Sequence, residues 1–195
     1  MPLTHQLTRQ PILSRRQFLT YLGIAGGMVN SPSLLASIPI TTTVFTPPER
    51  RLKLHNLHTG EHLDEAFWAN GQYLNDGINS INTLLRDHRC NQVAHMDRQL
   101  FNILIQLQDK LGYQGEIEVI SGYRSAKTNE MLRQQGRNVS KNSLHLQGKA
   151  IDIRIPSFSV DDIFKSVSHL RAGGVGKYPR SQFVHIDTGR IRYWG

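Results

Sequence analysis

Apolar residues recur along this chain with two different periods, and the change from one to the other marks out the elements. From Arg51 to His58, Leu52, Leu54 and Leu57 sit among polar neighbours, which predicts a strand broken at Thr59 and Gly60. Ile78, Ile81 and Leu85 return at helical spacing and predict a helix over 75–89. Leu100, Leu104, Leu107 and Leu111 make a stripe that predicts a second helix over 97–111, with Asp97 placed to cap it. Gly115 opens a strand over 116–121, where Ile117 and Val119 alternate with Glu116 and Glu118. Ser125 can cap a short helix over 127–135 that Gly136 stops, and the polar run over 136–142 reads as a loop. Ala150, Asp152 and Arg154 then alternate with Ile151, Ile153 and Ile155 in a strand ended by Pro156. Ser159 and Asp162 resemble a capping box before a helix carrying Ile163, Phe164, Val167 and Leu170, which ends near Gly173 and Gly174. The last strand is Phe183 to Asp187, with His185 and Asp187 on one face. The order predicts an α+β domain in which an antiparallel sheet carries its helices on one side.

That domain begins at about residue 51. The stretch over 37–50 is rich in threonine, holds the Pro47, Pro48 pair and reads as a linker. Residues 1–36 contain three arginines and no acid. Ser14 to Leu19 spell SRRQFL, which resembles the twin-arginine export motif, and the apolar run that follows is short and interrupted by Gly23, Gly26 and Gly27. The expected organisation is an export signal over 1–36, a linker over 37–50 and a catalytic domain over 51–195, with the mature protein in the periplasm or cell envelope.

Composition narrows the class further. With 195 residues and 38% hydrophobic content the chain can bury one ordinary core, and no stretch approaches the roughly 20 apolar residues of a membrane-spanning helix. The net charge of +8 drops to +5 without the three N-terminal arginines, an excess that favours anionic partners without choosing among them. A nucleic-acid role would rest on charge alone, and none is expected. The single cysteine, Cys90, excludes an internal disulfide and a cysteine-ligated zinc cluster.

The chemistry concentrates in two short segments. In Ser143 to Asp152, His145 and Asp152 stand seven positions apart with Gly148 between them to allow a tight turn. About thirty residues later comes His185. Two imidazoles and one carboxylate, with a fourth position left to water, suit a catalytic zinc ion, although the same ligands accept other divalent cations. In a chain with nine histidines such spacing is weak by itself, and each histidine taken singly reads as a surface or hydrogen-bonded core residue. The other seven histidines have no comparable neighbours; of these only His58, beside the turn at Thr59 and Gly60, is placed where it could face a cleft.

Ser143, His145, Gly148, Ala150 and Asp152 together spell SxHxxGxAxD, which resembles the signature of the D-Ala-D-Ala peptidase and Hedgehog-like zinc metallopeptidases. Upstream, Ser121 to Ser125 form SGYRS, and the segments NLHTGE (56–61) and RAGGVGKYPRSQFVHIDTG (171–189) look most like the murein endopeptidase K branch of that family. The resemblance spans about Leu52 to Trp194. It implies the α+β fold of that family, one Zn2+ held by His145, Asp152 and His185, and substrate contacts from Arg124 and Ser143. It also implies peptidoglycan peptide stems as the substrate, whose carboxylates a guanidinium can clamp with two parallel hydrogen bonds. One position departs from the pattern. Several relatives carry an acid three residues before the last histidine as general base, and here Gln182 stands there. Asp187 is the nearest replacement, either taking the proton itself or orienting His185. Hydrolysis of cross-links is the first expectation. A D,D-carboxypeptidase or L,D-peptidase acting on stem peptides is the near alternative, and a non-catalytic zinc or peptidoglycan-binding module the distant one.

Overall fold

Leu52 and Leu54, both fully buried, alternate with outward-facing neighbours and build β1 (Glu49–Asn56) in the computed structural model, which describes residues 49–137 and 139–195. The SRRQFL motif and nearly all of the expected linker lie outside the described residues. The chain reverses at Gly60 and returns as β2 (His62–Ala69), with Leu63 opposite Leu54 and a bulge between Arg50 and Arg51. The apolar and polar positions do not signal β2, because Asp64, Glu65 and Ala66 dilute the alternation and only Phe67 is fully buried. A tight turn through Asn70 and Gly71 leads to the short β3 (Gln72–Tyr73).

The first helix, α1 (Asn75–Leu84), stops five residues short of its expected end. Its last carbonyls are taken by tertiary partners: the Asn56 side-chain amide donates to Leu84 O at 2.8 Å and the Tyr123 N–H to Leu85 O at 2.7 Å. Residues beyond Leu85 instead wrap around buried Asp87, whose Oδ1 accepts from Arg89 N and Oδ2 from Ser125 N. The second helix, α2 (Arg98–Leu111), has the expected Asp97 cap, which accepts from Gln99 N, and ends at left-handed Gly112. β4 (Ile117–Ser121) delivers the SGYRS turn, and α3 (Ala126–Gln134) starts at Ser125, whose hydroxyl accepts from Thr128 N. After β5 (Ala150–Arg154) comes α4 (Val160–Leu170), capped by Ser159 and closed by Arg171 in a left-handed conformation ahead of the two glycines. Gly174 belongs to a second strand absent from the sequence pattern, β6 (Gly174–Tyr178); the expected β7 (Phe183–Asp187) and a short β8 (Arg192–Trp194) follow.

The eight strands form one sheet in the order β3-β2-β1-β4-β5-β7-β6-β8. All neighbours are antiparallel except β1 with β4 and β6 with β8. One face is apolar: Leu52, Phe67, Ile117, Ile151, Ile153, Val184 and Ile186 pack with residues of α1, α2 and α4, each fully buried side chain contributing about 1.5–3 kcal/mol. The α+β architecture is as expected. Helix α3 stands apart from that core, and its Leu132 lines a cavity described below. Because side chains alternate along a strand, burying Ile151, Ile153, Val184 and Ile186 turns Asp152 and His185 to the other face, where they are direct cross-strand partners.

Candidate metal centre

Asp152 and His185 are therefore brought together by the sheet itself. His145 reaches them from a single 3-10 turn, Leu144–Gln147, that precedes β5 and is closed by Gly148 in a left-handed conformation. A side chain at Gly148 would collide with the carbonyl of His95, so the turn requires both the backbone freedom and the small size of glycine. The SGYRS turn braces this element from the other side: Arg124 N donates to His145 O at 3.2 Å and His145 Nδ1 lies 2.7 Å from Gly122 O.

Three donor atoms meet at one point. His145 Nε2 lies 3.2 Å from His185 Nδ1 and 3.3 Å from Asp152 Oδ1, and His185 Nδ1 lies 2.8 Å from the same oxygen. A tetrahedral zinc ion with bonds of about 2.0–2.1 Å sets its ligands roughly 3.3 Å apart, so two of the three edges already fit and the third needs a small opening. The imidazole tautomers agree. His145 Nδ1 faces a carbonyl and must donate, and His185 Nε2 faces Asp187 Oδ2 at 3.1 Å. Burial is outweighed by hydrogen bonds to Asp152 and Asp187, which raise the His185 pKa to about 9, so its inward nitrogen offers a lone pair when a cation replaces the proton. Two lone pairs and a carboxylate aimed at one another call for a cation, and this donor set suits Zn2+. Of the three, His145 and Asp152 are buried and His185 is half-buried.

Asp187 sits on the far side of the His185 ring from this cluster and is completely buried. Besides His185 its oxygens accept from Gly174 N at 3.2 Å, Gly189 N at 2.8 Å and both terminal nitrogens of Arg192, at 3.1 and 2.7 Å. Burial alone would raise its pKa, but the hydrogen bonds from His185, Arg192 and Gly189 win and hold it at about 2. Asp152 is likewise held well below the carboxylate range, its burial outweighed by the charge and hydrogen bonds of His145 and His185. Gln182, at the position of the missing acid, adopts a left-handed conformation after a second 3-10 turn, and its side-chain amide donates to Pro179 O.

The cluster opens into a cleft of about 330 Å³. Arg124 and Ser143 line it, and the Arg124 guanidinium lies 3.8 Å from Asp152 Oδ2 and 3.2 Å from the Ser121 hydroxyl. Burial pulls the Arg124 pKa down, although Asp152 opposes this. Tyr178, a tyrosine the sequence offers for either the cleft or ordinary packing, also lines it, together with Arg192 and Trp194, which sequence reasoning missed. Trp194 Nε1 donates to Tyr178 Oη at 3.0 Å, and Arg192 stacks 5.0 Å from the indole centroid. Both strands that carry the aromatic pair lack a readable pattern. The one available signal was Gly174 and Gly176 in β6, where a Cβ would strike Arg192 and the Trp194 indole respectively. Among the described residues a second trio, His55, His62 and Glu116, also brings ligand atoms close together, but it lies on β1, β2 and the approach to β4, outside the cleft.

Comparison with known proteins identifies the family. A family model described as Peptidoglycan L,D-endopeptidase MepK matches residues 44–194. The Peptidoglycan L,D-endopeptidase MepK of Escherichia coli strain K12 is 41% identical over 181 residues, covering 93% of this chain and 97% of that protein. The Probable peptidoglycan L,D-endopeptidase MepK of Haemophilus influenzae strain Rd is 42% identical over 182 residues, covering 93% and 95%. No solved structure matches the chain. A match over three quarters of the sequence, together with relatives of similar length at this identity, places the chain in the MepK family of peptidoglycan L,D-endopeptidases.

Proposed function

We propose that this protein is a zinc-dependent endopeptidase that hydrolyses peptide cross-links of peptidoglycan, acting in the periplasm after export by the twin-arginine route. The observation that carries the reading is the convergence of His145 Nε2, His185 Nδ1 and Asp152 Oδ1 within 2.8–3.3 Å of one another beside a lined cleft. A zinc ion held there supplies Lewis acidity, which lowers the pKa of water and polarises an amide carbonyl. The chain's own residues do the rest. Arg124, partly desolvated, binds a substrate carboxylate and fixes the scissile bond over the cluster. Ser143, at the rim of the cleft beside His145, offers a hydroxyl to the peptide backbone.

Asp187 serves as a positioning residue for His185. All of its acceptor capacity is engaged, it is held at about 2, and it lies behind the ring, whereas a general base works best with a pKa near the operating pH and within reach of the proton it takes. Among the described residues lining the cleft, Asp152 is the sole carboxylate. The reading is tested by digesting cross-linked muropeptide dimers and uncross-linked monomers with the zinc-loaded protein, with and without a chelator. Conversion of dimers to monomers that stops with chelator is expected. Trimmed monomers beside intact dimers would make it a carboxypeptidase, and sedimentation with peptidoglycan without any cleavage would make it a binding module.

A further inference from the structure

The cleft continues beyond Arg124. A second cavity, of about 560 Å³, shares Arg124, Asp152, Tyr178 and Phe183 with the first and runs past Ser121 toward His58, Arg89 and Arg137. Three guanidiniums from three separate connections face it: Arg89 from the turn after α1, Arg124 from the end of β4 and Arg137 from the loop after α3. Among the described residues lining it Asp152 is the sole acid, and that carboxylate is engaged by two imidazoles. The neighbouring arginines are paired, Arg86 with Glu61 and Arg192 with Asp187, whereas Arg89 and Arg137 form no ion pair among the described residues. Both side chains are exposed, so their charges and donors are available to an anion entering the cavity.

We infer that Arg89 and Arg137 complete, with Arg124, a carboxylate-binding subsite that holds a free carboxylate of the cross-linked peptide on the side of the scissile amide away from Trp194. The identity of the ligand rests on the endopeptidase reading; the anion chemistry does not. A flat carboxylate accepts two parallel N–H groups from one guanidinium, and Leu132, Val139 and Ile120 beside the arginines suit a peptide rather than a bare inorganic anion. Two cavities that share Arg124 and Asp152 leave room for substrate on either side of those residues, as an internal bond requires.

The test compares a cross-linked muropeptide dimer with its free carboxylates against the same dimer carboxamidated. Binding to the zinc-loaded full chain is measured by calorimetry and cleavage is followed in parallel, for wild type, Arg89→Gln, Arg137→Gln and the double variant. The wild type is expected to bind the free form about tenfold to a hundredfold more tightly, and the double variant to lose that preference through affinity and KM with kcat little changed. Arg89→Lys, which keeps charge without the fork, should retain part of it. Equal affinity of the wild type for both dimers overturns the subsite whether or not either is cut, and so does a preference that the double variant keeps. Failure of the wild type to cut either dimer while still preferring the free form would sink the endopeptidase reading and leave the subsite standing.

Discussion

Replacing Asp187 by Asn tests what holds the metal cluster in order. The carboxylate receives five hydrogen bonds and is fully enclosed. In the variant the amide oxygen can still accept from Gly174 N, Gly189 N and Arg192 Nη1, which leaves its NH2 group facing both Arg192 Nη2 and the Nε2–H of His185. Donor then meets donor. The imidazole relieves this by moving its proton to Nδ1, the nitrogen that faces His145 and Asp152, and His185 ceases to be a ligand. Loss of an outer partner of this kind costs about 10–100-fold in metal affinity. Removing the charge beside Arg192 costs a further amount below the roughly 3–5 kcal/mol of a fully buried broken pair, because Arg192 is a third exposed. Competition with a chelator of known affinity, thermal unfolding and dimer cleavage at saturating zinc together read these effects. Weakened zinc binding, with cleavage recovering as zinc is raised, is the expected result. Wild-type zinc affinity with cleavage abolished would mean that Asp187 takes the proton in the reaction, and the positioning argument would be wrong.

Other perturbations give distinct signatures. Arg124→Lys keeps the charge but not the planar fork, so cleavage should fall about 10–100-fold while the bound zinc per chain is unchanged. Gly176→Val would drive a side chain into the Trp194 indole, with a cost of about 1–3 kcal/mol and a shift in the fluorescence of Trp194 against the constant signal of Trp68. Acid should destabilise the fold in two stages. Burial, His58 and Arg89 pull His88 down to about 4, so the unfolded chain takes up the proton first and stability falls as pH drops from about 6.5 toward 4. Asp87 lies below the carboxylate range because hydrogen bonds from Thr128, Ser125 and Arg89 overcome its burial, so its contribution is full above about pH 4 and is lost below that. Thermal midpoints of wild type and His88→Gln across this range should differ in the upper stage and coincide in shape in the lower.

What could be read from the chain depended on where each structural cause lay. The β5 and β7 alternation is local: it set Asp152 apart from Ile151 and Ile153 and put His185 with Asp187, whereas the pairing of Asp152 with His185 comes from the sheet. Asp97, Ser125 and Ser159 are likewise local caps, and each acts as its sequence context suggests. The end of α1 was not legible because Asn56 and Tyr123, distant in sequence, claim its carbonyls. β6 was hidden for the opposite reason: its glycines look like a helix stop, yet they are small because Arg192 and Trp194 lie over them. The same contact explains why Trp194 was not legible as part of the cleft. Asp187 was recognised as relevant, but only the position of its four partners distinguishes a residue that orients from one that accepts a proton.

Trp194 has a further bearing on how the groove behaves. It belongs to a three-residue strand at the margin of the sheet, bonded along one side to β6 alone. Amides in such a strand exchange with solvent before those of the interior, since few contacts must break to release them. The clamp formed by the indole and Tyr178 thus has one side on a short marginal strand, while Asp152 and His185 stand on neighbouring interior strands. Fraying of those three residues would part the indole from Tyr178 while leaving Asp152 and His185 paired across β5 and β7.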